Sequence, residues 1–470
     1  MKLTNQRLSQ GWPFLLCLFI LSTSIVLPQG SLAQKAIQAY SENPAYWQYK
    51  GKPVLLLGGT DDDNLFQRAQ VAPHLDSLAR IGGNYIRNTM SDRDPGNERA
   101  FLRLASGKYD LNQWNPEYWK RFKQLLHQAR KRDIIVQIEL WDRFDHSRSE
   151  WESDPYNPKN NVNYTYEEAD LESRYPEHPS RNKQPFFFTV PALDSNGVLL
   201  QYQEAFIKKL LSISLKFRNV LYCIDNETSG VSEWGAYWAG FIRREAGSKP
   251  VNITEMWDNW NVTSDTHKQT IDHPELYDFV DISQNSQTTG QDNWDNAQYV
   301  LQRVKKDPRP VNSTKIYGSH TSKWTNRGIN QEHAVQTFFR NILGGFAGSR
   351  FHRPPSGLGL SPLSASCIQT MRKIEDIVKM WNMAPHMELL KANRDNFAFL
   401  SAKEGSRYLI YFTGAGQIKL DMSKYPGMFN LKWIDPGNAQ WSDQESIEGG
   451  KVVSLDCQFE KGGLALLYFP

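Results

Sequence analysis

Cysteine is scarce: four in 470 residues, and only Cys223, Cys367 and Cys457 lie beyond the first apolar stretch. An odd number scattered over so long a chain makes neither a disulfide framework nor the paired spacing of a metal site, and nothing in the pattern asks for a metal or another cofactor. An excess of charge of one sign is lacking too. Lys and Arg number 54 against 51 Asp and Glu, a formal net of +3, which excludes the basic footprint of a nucleic-acid binder. Beyond the first 33 residues no apolar run is long enough to span a membrane.

What is present begins with Lys2 and Arg7, an apolar run from Phe14 to Leu27, and Ser31-Leu32-Ala33 before Gln34. That order reads as a secretory signal peptide over residues 1–33, cleaved before Gln34, and predicts a secreted or periplasmic protein. Cleavage removes two cations and no acid, lowering the formal charge to +1. The length fits two domains, a barrel over 34–385 and a smaller module over 386–470. Cys223, inside an apolar strand, reads as a small core hydrophobe. Aromatic residues make up 12% of the chain, with 15 Trp, enough that some can stack on sugar rings while most fill the core.

The stretch 219–227 organises the chain. Val220-Leu221-Tyr222-Cys223-Ile224 is a buried parallel strand in pattern, and it ends abruptly in Asp225-Asn226-Glu227. Seven more apolar runs with polar ends, at 53–60, 84–89, 134–142, 250–258, 277–285, 309–317 and 345–353, alternate with helical segments at 71–81, 114–131, 199–217, 234–246 and 334–343. A last helix is expected at 371–383. Eight strands alternating with helices predict an α/β fold, a (β/α)₈ TIM barrel, whose catalytic face is the C-terminal edge of its strands. The polar stretch 143–190 carries Trp151, Tyr156, Tyr164 and Tyr166 and reads as an ordered loop walling the cleft. After 386, short alternating runs separated by turn residues predict a small all-β sandwich.

With both modules in view the chain resembles the apiosidase-like bacterial glycoside hydrolases. The likeness rests on Asp61-Asp62-Asp63 after the first strand, Asn226-Glu227, the passage 333–351, and Trp433-Ile434-Asp435-Pro436 in a module similar to those labelled collagen-binding. It implies a glycosidase with Glu227 as general acid/base and Asn226 holding the sugar. One departure stands out. Where the family carries its nucleophile on the seventh strand, this chain reads Asn312-Ser313-Thr314-Lys315-Ile316-Tyr317. The second carboxylate must then come from another strand end, with Glu255 expected first and Asp142 next; Asp145 and the Asp61 to Asp63 cluster follow. Asp61, Asp62, Arg87, Trp141, Trp257, Asn285, Lys315, Tyr317, His352 and Arg353 are expected to line the substrate site. The expected partner is a plant or algal polysaccharide or oligosaccharide, attacked at a side chain. Two alternatives stay open: a polysaccharide lyase using Lys315, Tyr317 or His352, and an inactive barrel that binds glycan.

Overall fold

A computed structural model of the chain describes Met1 and residues 35–181, 184–320, 325–394 and 397–470. The expected leader, apart from Met1, and its boundary at Gln34 lie outside the described residues.

Three short antiparallel strands, Gln38–Tyr40, Asn43–Tyr49 and Lys52–Val54, open the fold as a meander. Its second turn has two residues, Lys50 and Gly51, both at positive φ (53° and 76°), the conformation that matches the twist of a tight hairpin. Residues 53–54, expected in the first barrel strand, therefore belong to this meander. The barrel strand starts two residues later.

The barrel strands are β1 (Leu56–Gly59), β2 (Tyr85–Thr89), β3 (Ile135–Asp142), β4 (Val220–Asn226), β5 (Ile253–Thr254), β6 (Val280–Asp281), β7 (Val311–Ile316) and β8 (Gly348–Phe351). They form one sheet in the order β5-β4-β3-β2-β1-β8-β7-β6, and each ladder within it is parallel. The two ends meet where the Asp278 N–H donates to the Ile253 carbonyl at 2.8 Å. The longer strands expected at 250–258 and 277–285 shrink to two laddered residues each, because Pro250 cannot donate to a ladder and a 3₁₀ turn takes over at Ser283–Gln287.

Helices α1 (Val71–Arg80), α2 (Pro116–Lys131), α3 (Gly197–Ser214), α4 (Ser232–Ala246), α5 (Asp265–Ile271), α6 (Gly290–Val304), α7 (Gln331–Gly344) and α8 (Pro362–Glu375) surround the sheet. Local chemistry sets their ends. In α2 the Asn115 side chain caps Glu117 N, Pro116 takes the first turn, and Arg130 and Lys131 face the C-terminal dipole. Ser361 and Pro362 start α8 in the same way, nine residues before the start expected from the apolar pattern.

The barrel axis is filled by polar side chains that satisfy one another. Tyr85 donates to Gln137 (2.6 Å), Gln137 to Asp281 (3.0 Å), Thr314 to the same Asp281 oxygen (2.6 Å) and Asn312 to Tyr85 (3.1 Å). From below, Trp47 of the meander donates Nε1 to Asn312 Oδ1 at 3.1 Å and packs edge-on against Phe279. The described residues of 143–190 include short helical turns at Arg148–Trp151 and Tyr166–Ala169, with Trp151, Tyr156 and Tyr164 buried. It reaches the mouth, where Ser229 donates to the Pro179 carbonyl at 3.2 Å.

Strands β9 (Ala398–Lys403), β10 (Arg407–Phe412), β11 (Gly416–Asp421), β12 (Met428–Asp435), β13 (Val452–Cys457) and β14 (Gly463–Tyr468) build the C-terminal all-β unit. One antiparallel sheet runs β9-β10-β14-β12; a second pairs β11 with β13. One face of the first sheet packs on the barrel. Phe399 meets Trp294 of α6 with ring centroids 4.9 Å apart, and Tyr411 stacks on Phe339 of α7 at 5.0 Å.

Candidate active site

Arg87 on β2 is wholly buried and acts as the hub of the barrel mouth. It forms ion pairs with Asp63 and Glu139 and donates Nη2 to Asn226 Oδ1 at 2.8 Å. The Asn226 amide in turn donates to Asp142 Oδ2 at 2.8 Å, and that carboxylate also receives Arg93 (2.7 Å) and the Phe144 N–H (3.0 Å). Interior charges survive only when paired in this way. Asp63 holds Arg353 as well as Arg87 and lies 3.7 Å from His352. Burial would push its carboxyl up, yet the Arg87 and Arg353 guanidiniums hold it well below the usual range. Burial drives His352 the other way, well below an ordinary imidazole, so it is neutral.

Glu227 stands just past the end of β4 with φ of 61°, a left-handed backbone that is uncommon for a residue with a side chain. Such strain concentrates at functional positions. Its carboxylate is 16% exposed and accepts from Lys315 Nζ at 2.8 Å and from the Tyr317 hydroxyl at 2.9 Å. Burial alone would raise the carboxyl; the Lys315 charge and hydrogen bond, with the Tyr317 bond, outweigh it and lower Glu227 to about 2. Glu227 is thus ionised at any ordinary pH, the reverse of the proton-donor state expected from its position. Lys315 also donates to Asn226. The Lys315 ammonium on β7 points inward, and two of its three protons are committed to Asn226 and Glu227. Burial and the Glu227 anion push the Tyr317 hydroxyl well above its usual range, so it keeps its proton.

Several expected site residues lie elsewhere. Glu255 follows Thr254, which pairs with Cys223, so alternation sends the Glu255 side chain outward, toward the helices. There it accepts from Thr228 and from the Asp225 N–H (3.2 Å), beside Gly235 of α4 and Tyr277. Burial and the Asp225 carboxylate push it well above the carboxylate range, so it sits neutral behind the strand. Trp257 also turns outward and donates to Thr270 of α5 at 2.8 Å. Trp141 lies among Phe186, Phe206, Trp234 and Trp238 in the layer between sheet and helices. The β3–β4 register is unbroken from Glu139↔Cys223 to Trp141↔Asp225, yet Glu139 meets Arg87 inside the barrel while Trp141 meets Trp238 of α4, so the alternation of β3 breaks between them. Asn285 donates its side-chain amide to the Asn293 carbonyl (2.8 Å) and its own carbonyl accepts from the Asn293 side-chain amide (2.9 Å), which fixes the start of α6. Asp61 accepts from Leu360 N at 2.8 Å, and Asp62 pairs with Arg68, both at the rim. Asp142 serves as the anchor of Asn226. Asp145 is bound by Arg93 and Ser91.

One carboxylate that the sequence reading did not select does face Glu227. Asp258 is two alternations beyond the inward Thr254, and its N–H donates to the Thr228 carbonyl at 2.7 Å, immediately after Glu227. It is half-buried, with no hydrogen bond or ion pair to its carboxyl among the described residues. Burial first, and the Glu227 anion second, raise it to about 6, against the pull of Lys315. Strand parity carried the signal that could have found it. Two residues farther on, Trp260 leaves 63% of its surface in solvent. Among the described residues no group of three or more His, Cys, Asp or Glu is placed to hold a metal ion, and no helix is long and apolar enough to cross a membrane.

No family model and no curated protein matches the sequence. Solved structures do match in shape. A glycoside hydrolase family 5 protein from Bacteroides vulgatus superposes with a TM-score of 0.63 at 14% identity, over 93% of this chain and 94% of that one. Another, described as a glycoside hydrolase, gives 0.64 at 13% identity over 93% and 98%. The fold is that of glycoside hydrolase barrels. An α-amylase from Anoxybacillus shares it more distantly, with a TM-score of 0.55 at 9% identity over 88% of this chain and 98% of that one. In the first two pairs the match covers almost the whole of both chains, so it takes in the C-terminal β-sheets as well as the barrel.

Proposed function

We infer that this chain is a glycoside hydrolase of the apiosidase-like type, secreted through a leader ending at Ala33 and acting on a side chain of a plant or algal polysaccharide. The observation that carries the reading is Glu227: a partly exposed, ionised carboxylate on a strained residue at the mouth of a barrel, fixed by Lys315 and Tyr317 and flanked by an Asn226 that Arg87 and Asp142 lock in place. A carboxylate held charged in this way is suited to receive a proton from water or to attack a sugar carbon. The lyase alternative gains no support, because the Lys315 ammonium and the Tyr317 hydroxyl are both engaged with Glu227.

The test is a screen of plant and algal polysaccharides for reducing-sugar release, with absorbance of unsaturated products followed in parallel. Hydrolysis without unsaturated product is expected, and Glu227→Gln should lower turnover by about 10² to 10⁴-fold. Near-normal turnover by Glu227→Gln, or unsaturated product from the native enzyme, would end the reading. For secretion, N-terminal sequencing of the exported protein should begin at Gln34; an intact Met1 on exported protein refutes cleavage.

A further inference from the structure

Hydrolysis of a glycosidic bond needs one carboxyl that gives a proton to the departing oxygen and one carboxylate that takes a proton from the attacking water. Glu227, held as an anion by Lys315 and Tyr317, fits the second role and leaves the first without an owner. The other acids at the mouth are engaged: Asp63 with Arg87 and Arg353, Asp142 with Arg93 and Asn226, Asp145 with Arg93 and Ser91, Glu139 with Arg87. Glu255 is on the wrong side of its strand. Asp258 alone among these candidates lies inward beside Glu227 with its carboxyl uncommitted.

Resting on the glycosidase reading above, we propose that Asp258 is the proton donor of this site and Glu227 its base. Asp258 gives its proton to the glycosidic oxygen as the bond from that oxygen to the anomeric carbon breaks, and the bonding pair leaves with the oxygen. Water adds to the anomeric carbon and its surplus proton passes to Glu227. Exchange with solvent then reprotonates Asp258 and deprotonates Glu227. The titratable groups whose charge reaches Asp258 are Glu227, which raises it, and Lys315, which lowers it. With Asp258 near 6 and Glu227 near 2, both are in their working states between those limits. Environments that push two carboxyls apart in this sense assign the acid and the base. Trp260 extends the same rim with an open indole face, on which a departing sugar can stack.

The experiment compares two substrates: the oligosaccharide identified by the polysaccharide screen, and dinitrophenyl glycosides of a panel of pentoses and hexoses, whose leaving group needs no proton. Asp258→Asn in the full chain should lose about 10² to 10³-fold in kcat/KM on the oligosaccharide and at most about tenfold on the aryl glycoside. The alkaline limb near pH 6 should vanish with it. Aryl turnover also reports that the variant is folded. Asp258→Glu, which keeps the proton on a longer arm, should recover part of the oligosaccharide activity and the limb. Equal losses on both substrates in both variants, or an undiminished oligosaccharide rate in Asp258→Asn, would overturn the assignment while leaving the glycosidase reading intact. Native enzyme that cleaves neither substrate removes that reading and this one together.

Discussion

Lys315 sets the charge state of the mouth. Its ammonium is what lowers Glu227 against the effect of burial, so the sign of its removal follows directly. In Lys315→Met the carboxyl should rise from about 2, since burial is then opposed only by the Tyr317 hydrogen bond and the Arg87 charge. The acid limb of kcat/KM is expected to move up with it, measurable as a loss of activity between about pH 3 and 5 that the native enzyme does not show. Stability follows the same sign. A depressed carboxyl contributes stability that is full above about 4.5 and is lost as pH falls toward 2, and Lys315→Met should flatten that dependence in urea titrations. Asn226 and Glu227 were legible in the sequence because an apolar strand that stops in polar residues has few other places to put them. Asp258 and Glu255 were not separable in the same way. They are three residues apart on a stretch with only two laddered residues, and parity decides which one faces the cleft.

At the scale of elements, the long barrel strands and most helices could be read from hydrophobic period alone, since burial on both faces leaves an unbroken apolar run. What escaped was set by local chemistry with a weak period: the meander strand at Lys52–Val54, the hairpin of Phe101–Arg103 with Tyr109–Trp114, and the Ser361-Pro362 start of α8. The contact between β4, β5 and α4 shows how tightly such junctions are built. Thr228, Asp225 and Glu255 bond to one another behind the strands, and a Cβ on Gly235 would sit 2.6 Å from the Tyr277 hydroxyl and 2.7 Å from Glu255 Oε2. Gly235→Ala should therefore destabilise the protein by about 1–3 kcal/mol through overpacking, read as a lowered Tm. Glu255→Gln is expected to keep activity within about threefold and to leave Tm nearly unchanged, because a neutral amide replaces an acid already held neutral. A loss comparable to that of Glu227→Gln would return Glu255 to the catalytic pair.

Taken as a whole molecule, the barrel shares its apolar core with one face of the first C-terminal sheet, whose other face closes a separate core with the second sheet. Phe399, Leu409, Tyr411, Ile434, Leu464 and Leu466 are buried in the same cluster as the barrel helices, with Arg340 over the Phe399 ring at 5.6 Å and Lys373 donating to the Ala439 carbonyl at 2.6 Å. The sequence announced the sandwich through its change of texture but gave no sign of this contact, because the apolar faces of α6 and α7 look the same whether a strand or another helix covers them. Removing residues 386–470 is expected to leave an aggregating barrel, and the intact protein to melt in a single calorimetric transition; a soluble, active barrel fragment would contradict both. The opposite pole has its own consequence. The meander seals the lower end of the barrel through Trp47, while the Ile37 N–H donates to the Arg218 carbonyl at 2.8 Å and Asn252 donates to the Ile37 carbonyl at 2.9 Å. The start of the meander, at Ile37, is therefore stitched to the face opposite the mouth. A bead, a display scaffold or a fusion partner joined there leaves the cleft pointing outward, free to meet a polymer too large to diffuse around the enzyme.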